Sequence, residues 1–207
     1  MHMKRKIGLM GGTFNPIHLG HIQIAEHALA QMDLDEVWFL PTGNSYHKKT
    51  EAIPAADRAA MVELAIRSYP HFRINDLEMR REGATYTADT LRELTECYPD
   101  VRFYYLVGAD SLDYMDRWVR PEEIFSRAVI LVMGRNSQSR QQTLDKAASL
   151  KARFHADVRL LDGHVLSVSS SEIREKVRTG ASLAGLLPAD VISYIEEKGL
   201  YRNGRND

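Results

Sequence analysis

The stretch GLMGGTFNPIHLGH, residues 8–21, joins an apolar run to a segment in which apolar residues recur at the period of a helix. Residues 6–10 have the composition of a strand buried on both faces, and residues 19–32 have the helical period. Gly11 and Gly12 lie between them and allow the backbone to approach a ligand closely. The stretch therefore predicts a strand, a glycine-rich turn and a helix, the first unit of a parallel α/β sheet.

The same alternation continues along the chain. The predicted further strands are residues 36–41, 101–108 and 128–134, with weaker candidates at 71–76 and 157–161, and the predicted further helices are residues 54–69 and 87–98. Right-handed crossovers between parallel strands then give an α/β fold with a Rossmann-like, doubly wound, mainly parallel sheet and helices on both faces.

In the rest of the chain, the periodic spacing of apolar residues is weaker. Residues 134–143 are polar without an apolar period and predict an exposed loop. A small helical portion is expected over about 169–201, with a last helix that begins at Pro188 and ends at Gly199. Residues 202–207 form a polar tail, and we expect residues 1–207 to fold as a single domain.

Composition limits the function. The chain has 207 residues and a formal net charge of −1, which argues against a general nucleic-acid or membrane surface. Cys97 is the only cysteine, so no intrachain disulfide can form, and a partly buried, inert thiol is expected. No apolar run approaches membrane-spanning length, and we predict a cytoplasmic protein. The sequence leaves the oligomeric state open and allows a homo-oligomer.

Two imidazoles follow the glycine-rich turn. His18 and His21 fall on one face of the predicted helix, at a terminus whose free N–H groups and positive dipole favour an anion. In an open parallel sheet, ligands collect at this edge, so a phosphate site is expected. The alternative is a turn with incidental histidines. A metal site would need a further ligand that the sequence does not supply, so no protein-held metal is predicted.

Two further segments carry cations or hydroxyls. VSSSEIR, residues 168–174, reads as a helix start capped by Ser169 and Glu172, and Ser170 with Arg174 can also form a second anion site. Lys48, in SYHKK at 45–49, belongs either to a solvated basic loop or to a mobile segment that closes over phosphates.

A third region follows the predicted fourth strand. Asp110 comes two residues after Gly108 and either caps the next helix or binds a ribose hydroxyl. Trp118 is either a core residue or a platform for a ligand ring. Thr87 is a plausible helix N-cap.

GGTFNPIHLGH, residues 11–21, resembles the signature loop of the H-x-G-H nucleotidyltransferase superfamily. The chain as a whole resembles the bacterial nicotinate-nucleotide adenylyltransferase family. The order and spacing of its motifs match those of the family over nearly the full length of the chain. The other matching segments are Leu40-Pro41, His47-Lys48, 85–91, 108–118, 169–174 and 187–201. The departures are Asn15 where Asp is commonest, Tyr46 for a proline, Thr85 for Ser, and Ser171 for Thr.

The resemblance implies transfer of AMP from ATP to nicotinate mononucleotide. The products are nicotinate adenine dinucleotide, an intermediate of NAD biosynthesis, and pyrophosphate, formed by in-line attack without a covalent intermediate. Mg²⁺ is expected with ATP, held mainly by the substrate phosphates. The implied catalytic residues are His18, His21, Lys48 and Arg174. The implied ATP-binding residues are Gly11, Gly12, Thr13, Phe14, His18, His21, Gly108, Asp110, Ser169, Ser170 and Arg174. The implied mononucleotide-binding residues are Tyr86, Thr87, Trp118 and Val119.

Two alternatives stay open. One is an adenylyltransferase for nicotinamide mononucleotide or for phosphopantetheine. The other is a non-catalytic nucleotide-binding regulatory module. The presence of His18, His21, Lys48 and Arg174 argues against the second, because a pure binder has no need of groups that stabilise a transition state.

Overall fold

Residues 4–43, 53–134 and 137–202 of the chain are described by a computed structural model. Within them there are six strands: β1 Arg5–Gly12, β2 Glu36–Pro41, β3 Phe72–Ile74, β4 Val101–Gly108, β5 Ala128–Met133 and β6 Val158–Leu161. The α-helices are α1 Leu19–Met32, α2 Ala55–Ile66, α3 Leu77–Arg80, α4 Thr87–Cys97, α5 Ala109–Leu112, α6 Pro121–Arg127, α7 Ser137–Phe154, α8 Ser170–Thr179 and α9 Ala189–Lys198. A turn of 3-10 helix lies at Met115–Arg117.

The six strands form one sheet in the order β3-β2-β1-β4-β5-β6, and every pairing is parallel. The order reverses at β1, which pairs with β2 on one side and with β4 on the other. Connections that leave β1 and β4 in opposite directions open a crevice at the carboxyl edge of the sheet. The predicted fold class is confirmed. Gly11 and Gly12, predicted as a turn, are instead the last two residues of β1, paired with β2, and they lie at this edge of the sheet.

The sheet is covered on both faces, as the continuous apolar strands predict. Along β4, Phe103 and Tyr105 pack on one face, whereas Tyr104 and Leu106 pack on the other. Helices supply the rest of each core. On one face, α1, α2, α8 and α9 contribute Ile22, Met61, Ile173 and Val191. On the other face, α4, α6 and α7 contribute Leu91, Ile124 and Leu150. In the part of the chain that is described, no helix is both long and apolar enough to cross a membrane.

Two predictions from the sequence are wrong. The polar stretch 134–143 is not a loop throughout, because α7 begins at Ser137. This helix lacks an obvious apolar stripe; it buries Leu150, and ion pairs to neighbouring elements, such as Arg140 to Asp162, support its polar surface. Cys97 is exposed rather than partly buried, because it is the last residue of α4.

The last helix is as predicted. α9 follows Pro188, and Gly199 ends it in the left-handed conformation with φ of 62°.

Candidate active site

The loop after β1 is held in place by the start of α8. The Ser170 hydroxyl donates to the Pro16 carbonyl at 2.9 Å, and the Arg174 guanidinium donates to the Asn15 carbonyl at 2.8 Å. Ser169 caps α8 by accepting from the backbone N–H of Glu172, which confirms the part of the predicted cap that the Ser169 side chain makes. The two anion-binding segments predicted from the sequence therefore lie against each other.

Asn15 is buried, and its side chain is used by the fold. Its Oδ1 accepts from the Tyr201 hydroxyl at 2.8 Å, so the amide ties the loop to the C-terminal end of the described chain. An aspartate could accept the same bond, as Asp57 does from Tyr194, so nothing in the structure explains why asparagine stands here. The Oδ1 atom of Asn15 thus has a structural partner.

His18 and His21 form a stacked pair at the start of α1. Their ring centroids are 3.6 Å apart, and the Phe14 and His21 rings make a T-shaped contact with centroids 5.2 Å apart. The backbone N–H of His18 donates to Nδ1 of His21 at 3.2 Å. Because Nδ1 of His21 accepts a hydrogen bond, Nε2 carries the ring proton and is a donor.

Both imidazoles are neutral at neutral pH in the absence of substrate. Burial lowers the pKa of His18 to about 4, and burial together with the neighbouring His18 lowers the pKa of His21 to about 3. The pair therefore offers uncharged hydrogen-bond donors at the edge of the crevice.

The first N–H of α1 is not free, contrary to the expectation for an open helix terminus. The N–H of Leu19 donates to the Leu186 carbonyl at 2.9 Å, because the segment before α9 lies across the start of the helix. Anion binding at this end of α1 must depend more on the two imidazoles than on that backbone group.

Gly20, between the two histidines, has a packing role that the sequence reading missed. A Cβ at Gly20 would lie 3.0 Å from the carbonyl oxygen of Leu166. The N–H of Leu166 also donates to the side chain of Gln23 at 2.6 Å. The segment that leads into α8 thus packs closely on α1, and this contact brings Ser170 near the loop after β1.

A second cluster lies at the start of α4. Tyr86, rather than Thr87, occupies the N-cap position, so the predicted cap is displaced by one residue. The Thr87 hydroxyl lies 3.4 Å from the hydroxyl of Tyr105, and the Trp118 ring meets Tyr105 edge-on at 6.3 Å. Trp118 is half-buried, whereas Tyr86 and Val119 are exposed. These residues form an apolar surface beside a helix start.

An ion pair that the sequence reading missed connects the two halves of this cluster. Arg120 adopts a left-handed conformation with φ of 52°, and its guanidinium lies 2.6 Å from the carboxylate of Asp89 in the first turn of α4. The pair holds the segment that contains Trp118 and Val119 against the start of α4.

The end of β4 borders open space. A Cβ added at Gly108 would meet no atom within 4 Å, and Asp110 is an exposed residue in the first turn of α5. Lys48 and Tyr46 lie outside the described residues. Within 4–43, 53–134 and 137–202, no group of three or more His, Cys, Asp and Glu side chains is placed to hold a metal ion.

Gly11→Ala should lower the stability of the protein through a steric clash, and a second substitution should remove part of that clash. A Cβ at Gly11 would lie 2.6 Å from the buried hydroxyl of Tyr105. We expect a loss of about 1–3 kcal/mol in the free energy of unfolding, as for other overpacked cores. Urea unfolding measures it, and Gly11→Ala with Tyr105→Phe should recover part of the loss. Equal stability of the single and double variants would contradict the contact.

The depressed imidazole pKa values predict a pH dependence of stability. The ordinary pKa is 6.5, and the folded values are about 4 and about 3. The unfolded chain therefore binds more protons in this window, and the free energy of unfolding should fall as pH drops from 6.5 towards 4. Urea unfolding at pH 7 and pH 5 measures it. The double variant His18→Gln, His21→Gln should lose less stability over this range, and an identical loss would contradict the assignment.

The chain matches known proteins over almost all of its length. Residues 9–176 match the cytidylyltransferase-like family. A protein of Lachnoclostridium phytofermentans named "Probable nicotinate-nucleotide adenylyltransferase" is 44% identical over 95% of this chain and 99% of its own. A protein of Oceanobacillus iheyensis with the same name is 37% identical over 98% of this chain and 100% of its own.

The fold also matches a solved structure, that of "Plasmodium falciparum nicotinic acid mononucleotide adenylyltransferase complexed with NaAD". The TM-score is 0.77 at 22% identity, over 95% of this chain and 97% of the other. At this identity the likeness supports the fold alone. The identities to the bacterial proteins go further and confirm both the family and the enzyme class predicted from the sequence. The chain belongs to the cytidylyltransferase-like family and, within it, to the nicotinate-nucleotide adenylyltransferases, which are nucleotidyltransferase enzymes.

Proposed function

We propose that the protein transfers AMP from ATP to nicotinate mononucleotide, giving nicotinate adenine dinucleotide and pyrophosphate for NAD biosynthesis. One observation carries the proposal: the stacked pair of His18 and His21 and the start of α8 meet around a single loop at the crevice of the sheet. The names of the bacterial relatives supply the acceptor.

The phosphates of ATP bind at this loop in our proposal. Gly11, Gly12, Thr13 and Phe14 bring the backbone close to them, and His18 and His21 donate to the oxygens around the α-phosphorus. Ser169, Ser170, Arg174 and Lys48 hold the departing pyrophosphate. Since Arg174 and Ser170 already bond to carbonyls of the loop, they contribute both to its shape and to the anion site.

Adenosine binds beyond β4 in the same proposal. The open space beside Gly108 leaves room for a base or ribose to approach the backbone, and the exposed Asp110 accepts from a ribose hydroxyl in this proposal.

The mononucleotide binds at the second cluster. Trp118 stacks on the pyridine ring, with the exposed Tyr86 beside it. Backbone N–H groups at Thr87 and Val119 face the carboxylate of nicotinate, and the pair of Asp89 and Arg120 keeps these two segments together.

The chemistry needs no general base. The second pKa of a phosphate monoester is about 6, so the 5′-phosphate of the mononucleotide is largely dianionic at neutral pH and attacks the α-phosphorus directly. The α-phosphorus–oxygen bond to pyrophosphate breaks as the new bond forms, and no covalent enzyme intermediate arises. Catalysis consists of alignment of two anions and stabilisation of developing charge by pre-placed donors.

Mg²⁺ enters with ATP. In this proposal the ion is held mainly by the substrate phosphates. It neutralises charge on the triphosphate. The cytoplasmic location and the homo-oligomer allowed by the sequence stay predictions.

The stereochemical course tests the direct transfer. We expect reaction of the protein with nicotinate mononucleotide and ATP chirally labelled at the α-phosphorus by sulfur to invert the configuration. Retention would show a double displacement through an adenylylated enzyme and contradict the direct step. Absence of a labelled dinucleotide would contradict the proposed function itself.

Lys48→Ala should weaken ATP binding or slow turnover while leaving nicotinate mononucleotide binding nearly unchanged. A cation in the segment that follows β2 in the sequence is expected to act on the triphosphate rather than on the acceptor. Calorimetric titration with each substrate separates the two, and equal loss for both would point to a role in folding.

A further inference from the structure

Arg58 is a buried cation under the candidate phosphate loop. Its side chain lies on α2, and the residue is only 4% exposed. The guanidinium donates to the carbonyl of Thr13 at 2.7 Å, to that of Thr42 at 2.7 Å and to that of Gly43 at 2.6 Å. A weaker bond joins Nε to the Ile53 carbonyl at 3.4 Å. The side chain thus connects the turns that follow β1 and β2.

The charge of Arg58 has no ionic partner among the residues that the structure describes. Among the described residues, no carboxylate lies within ion-pair distance of its guanidinium, although most other arginines of the chain have one. A buried cation without a counter-ion is costly, and carbonyl dipoles compensate it only in part.

The position of Arg58 indicates which anion would offset that cost. Thr13 belongs to the loop at which the triphosphate is proposed to bind, and its carbonyl is occupied by the guanidinium. A carbonyl oxygen that accepts from a guanidinium has much of its negative partial charge offset, so it repels a nearby phosphate less. Thr42 and Gly43 lie directly after the neighbouring strand β2.

We propose that Arg58 is a positioning residue for the triphosphate, and this inference rests on the proposed function. It engages three carbonyl groups of the two turns and adds a positive charge that no described carboxylate neutralises, and the bound triphosphate supplies a counter-charge. Arg58 does not touch the substrate. It acts by positioning Thr13 and by the electrostatic attraction between its charge and the phosphates.

Two variants separate charge from hydrogen bonding. Arg58→Lys keeps the charge but not the planar donors, whereas Arg58→Gln keeps a donor group but not the charge. We expect the dissociation constants for ATP and for pyrophosphate, measured by calorimetry, to rise roughly tenfold or more in Arg58→Gln and only about threefold or less in Arg58→Lys. Arg80→Gln removes an exposed, ion-paired arginine and should bind both ligands as the unmodified protein does.

The inference is overturned if the lysine and glutamine variants bind ATP equally, whether both are weak or both are normal, because charge would then not matter. Thermal unfolding of each variant without ligand reports the structural cost separately. If the unmodified protein binds neither ATP nor pyrophosphate, the proposed function fails instead.

A second measurement uses the unmodified protein and needs no folded variant. In ¹⁵N-detected NMR, addition of pyrophosphate should shift the Nε–H resonance of Arg58 and leave that of Arg80 unchanged. An unmoved Arg58 resonance at saturating pyrophosphate would overturn the inference.

Discussion

His18→Ala and His21→Ala should each lower kcat by roughly 100- to 1,000-fold, the range found for removal of one donor that faces charge in a transition state. The KM for ATP should change far less, because these donors act on charge that grows during the transfer. Steady-state kinetics on folded variants measures the two constants separately.

His27→Ala provides the matched control. His27 lies on the same helix but away from the loop after β1, and its ring contacts the His164 carbonyl. Its loss should leave kcat nearly unchanged. If both His18→Ala and His21→Ala keep the kcat of the unmodified protein, the stacked pair contributes to packing and not to catalysis.

The protein should prefer nicotinate mononucleotide over the nicotinamide form by very roughly 100- to 10,000-fold in kcat/KM. The two acceptors differ only in carboxylate against carboxamide, so ring stacking and phosphate contacts cannot distinguish them. Charge-assisted hydrogen bonds contribute about 1.5–3 kcal/mol each. Two such bonds, from the backbone around Thr87 and Val119, give this range at about 1.4 kcal/mol per decade.

Trp118→Ala tests whether stacking and carboxylate recognition are separate. The ring is half-buried against Tyr105, so its loss removes a platform without removing the proposed backbone donors. The KM should rise for both mononucleotides, while the ratio of their kcat/KM values stays the same. A preference that disappears with the ring would contradict the assignment of the donors.

Periodicity and turn chemistry predict most of this fold. The β1–turn–α1 unit has strong signals, since a buried strand, two glycines and a helical period follow one another within residues 6–32. The start of α7 could not be predicted because its first turns carry few apolar side chains, and tertiary ion pairs such as that of Lys146 with Asp116 support it. The exposure of Cys97 depends on where α4 ends, which is the least predictable feature of a helix.

Only some residues of the candidate site can be predicted from the sequence. The spacing of His18 and His21 predicts that they share a helix face, and the structure places their rings in contact. Arg58 and the pairing of Asp89 with Arg120 could not be predicted, because each joins segments that are distant in sequence and ordinary in composition. The bond from Tyr201 to Asn15 spans almost the entire chain and has no local signal.

Pyrophosphate release at saturating Mg·ATP, with nicotinate mononucleotide, nicotinamide mononucleotide or phosphopantetheine as acceptor, tests the central claim most directly. We predict rapid release with nicotinate mononucleotide, release with the nicotinamide form that is at least 100-fold lower in kcat/KM, and none above background with phosphopantetheine. Comparable release with both mononucleotides would contradict the nicotinate assignment and leave the adenylyltransferase activity standing. Release with none of the three, from folded protein that still binds ATP, would contradict the catalytic account and favour a regulatory nucleotide-binding module.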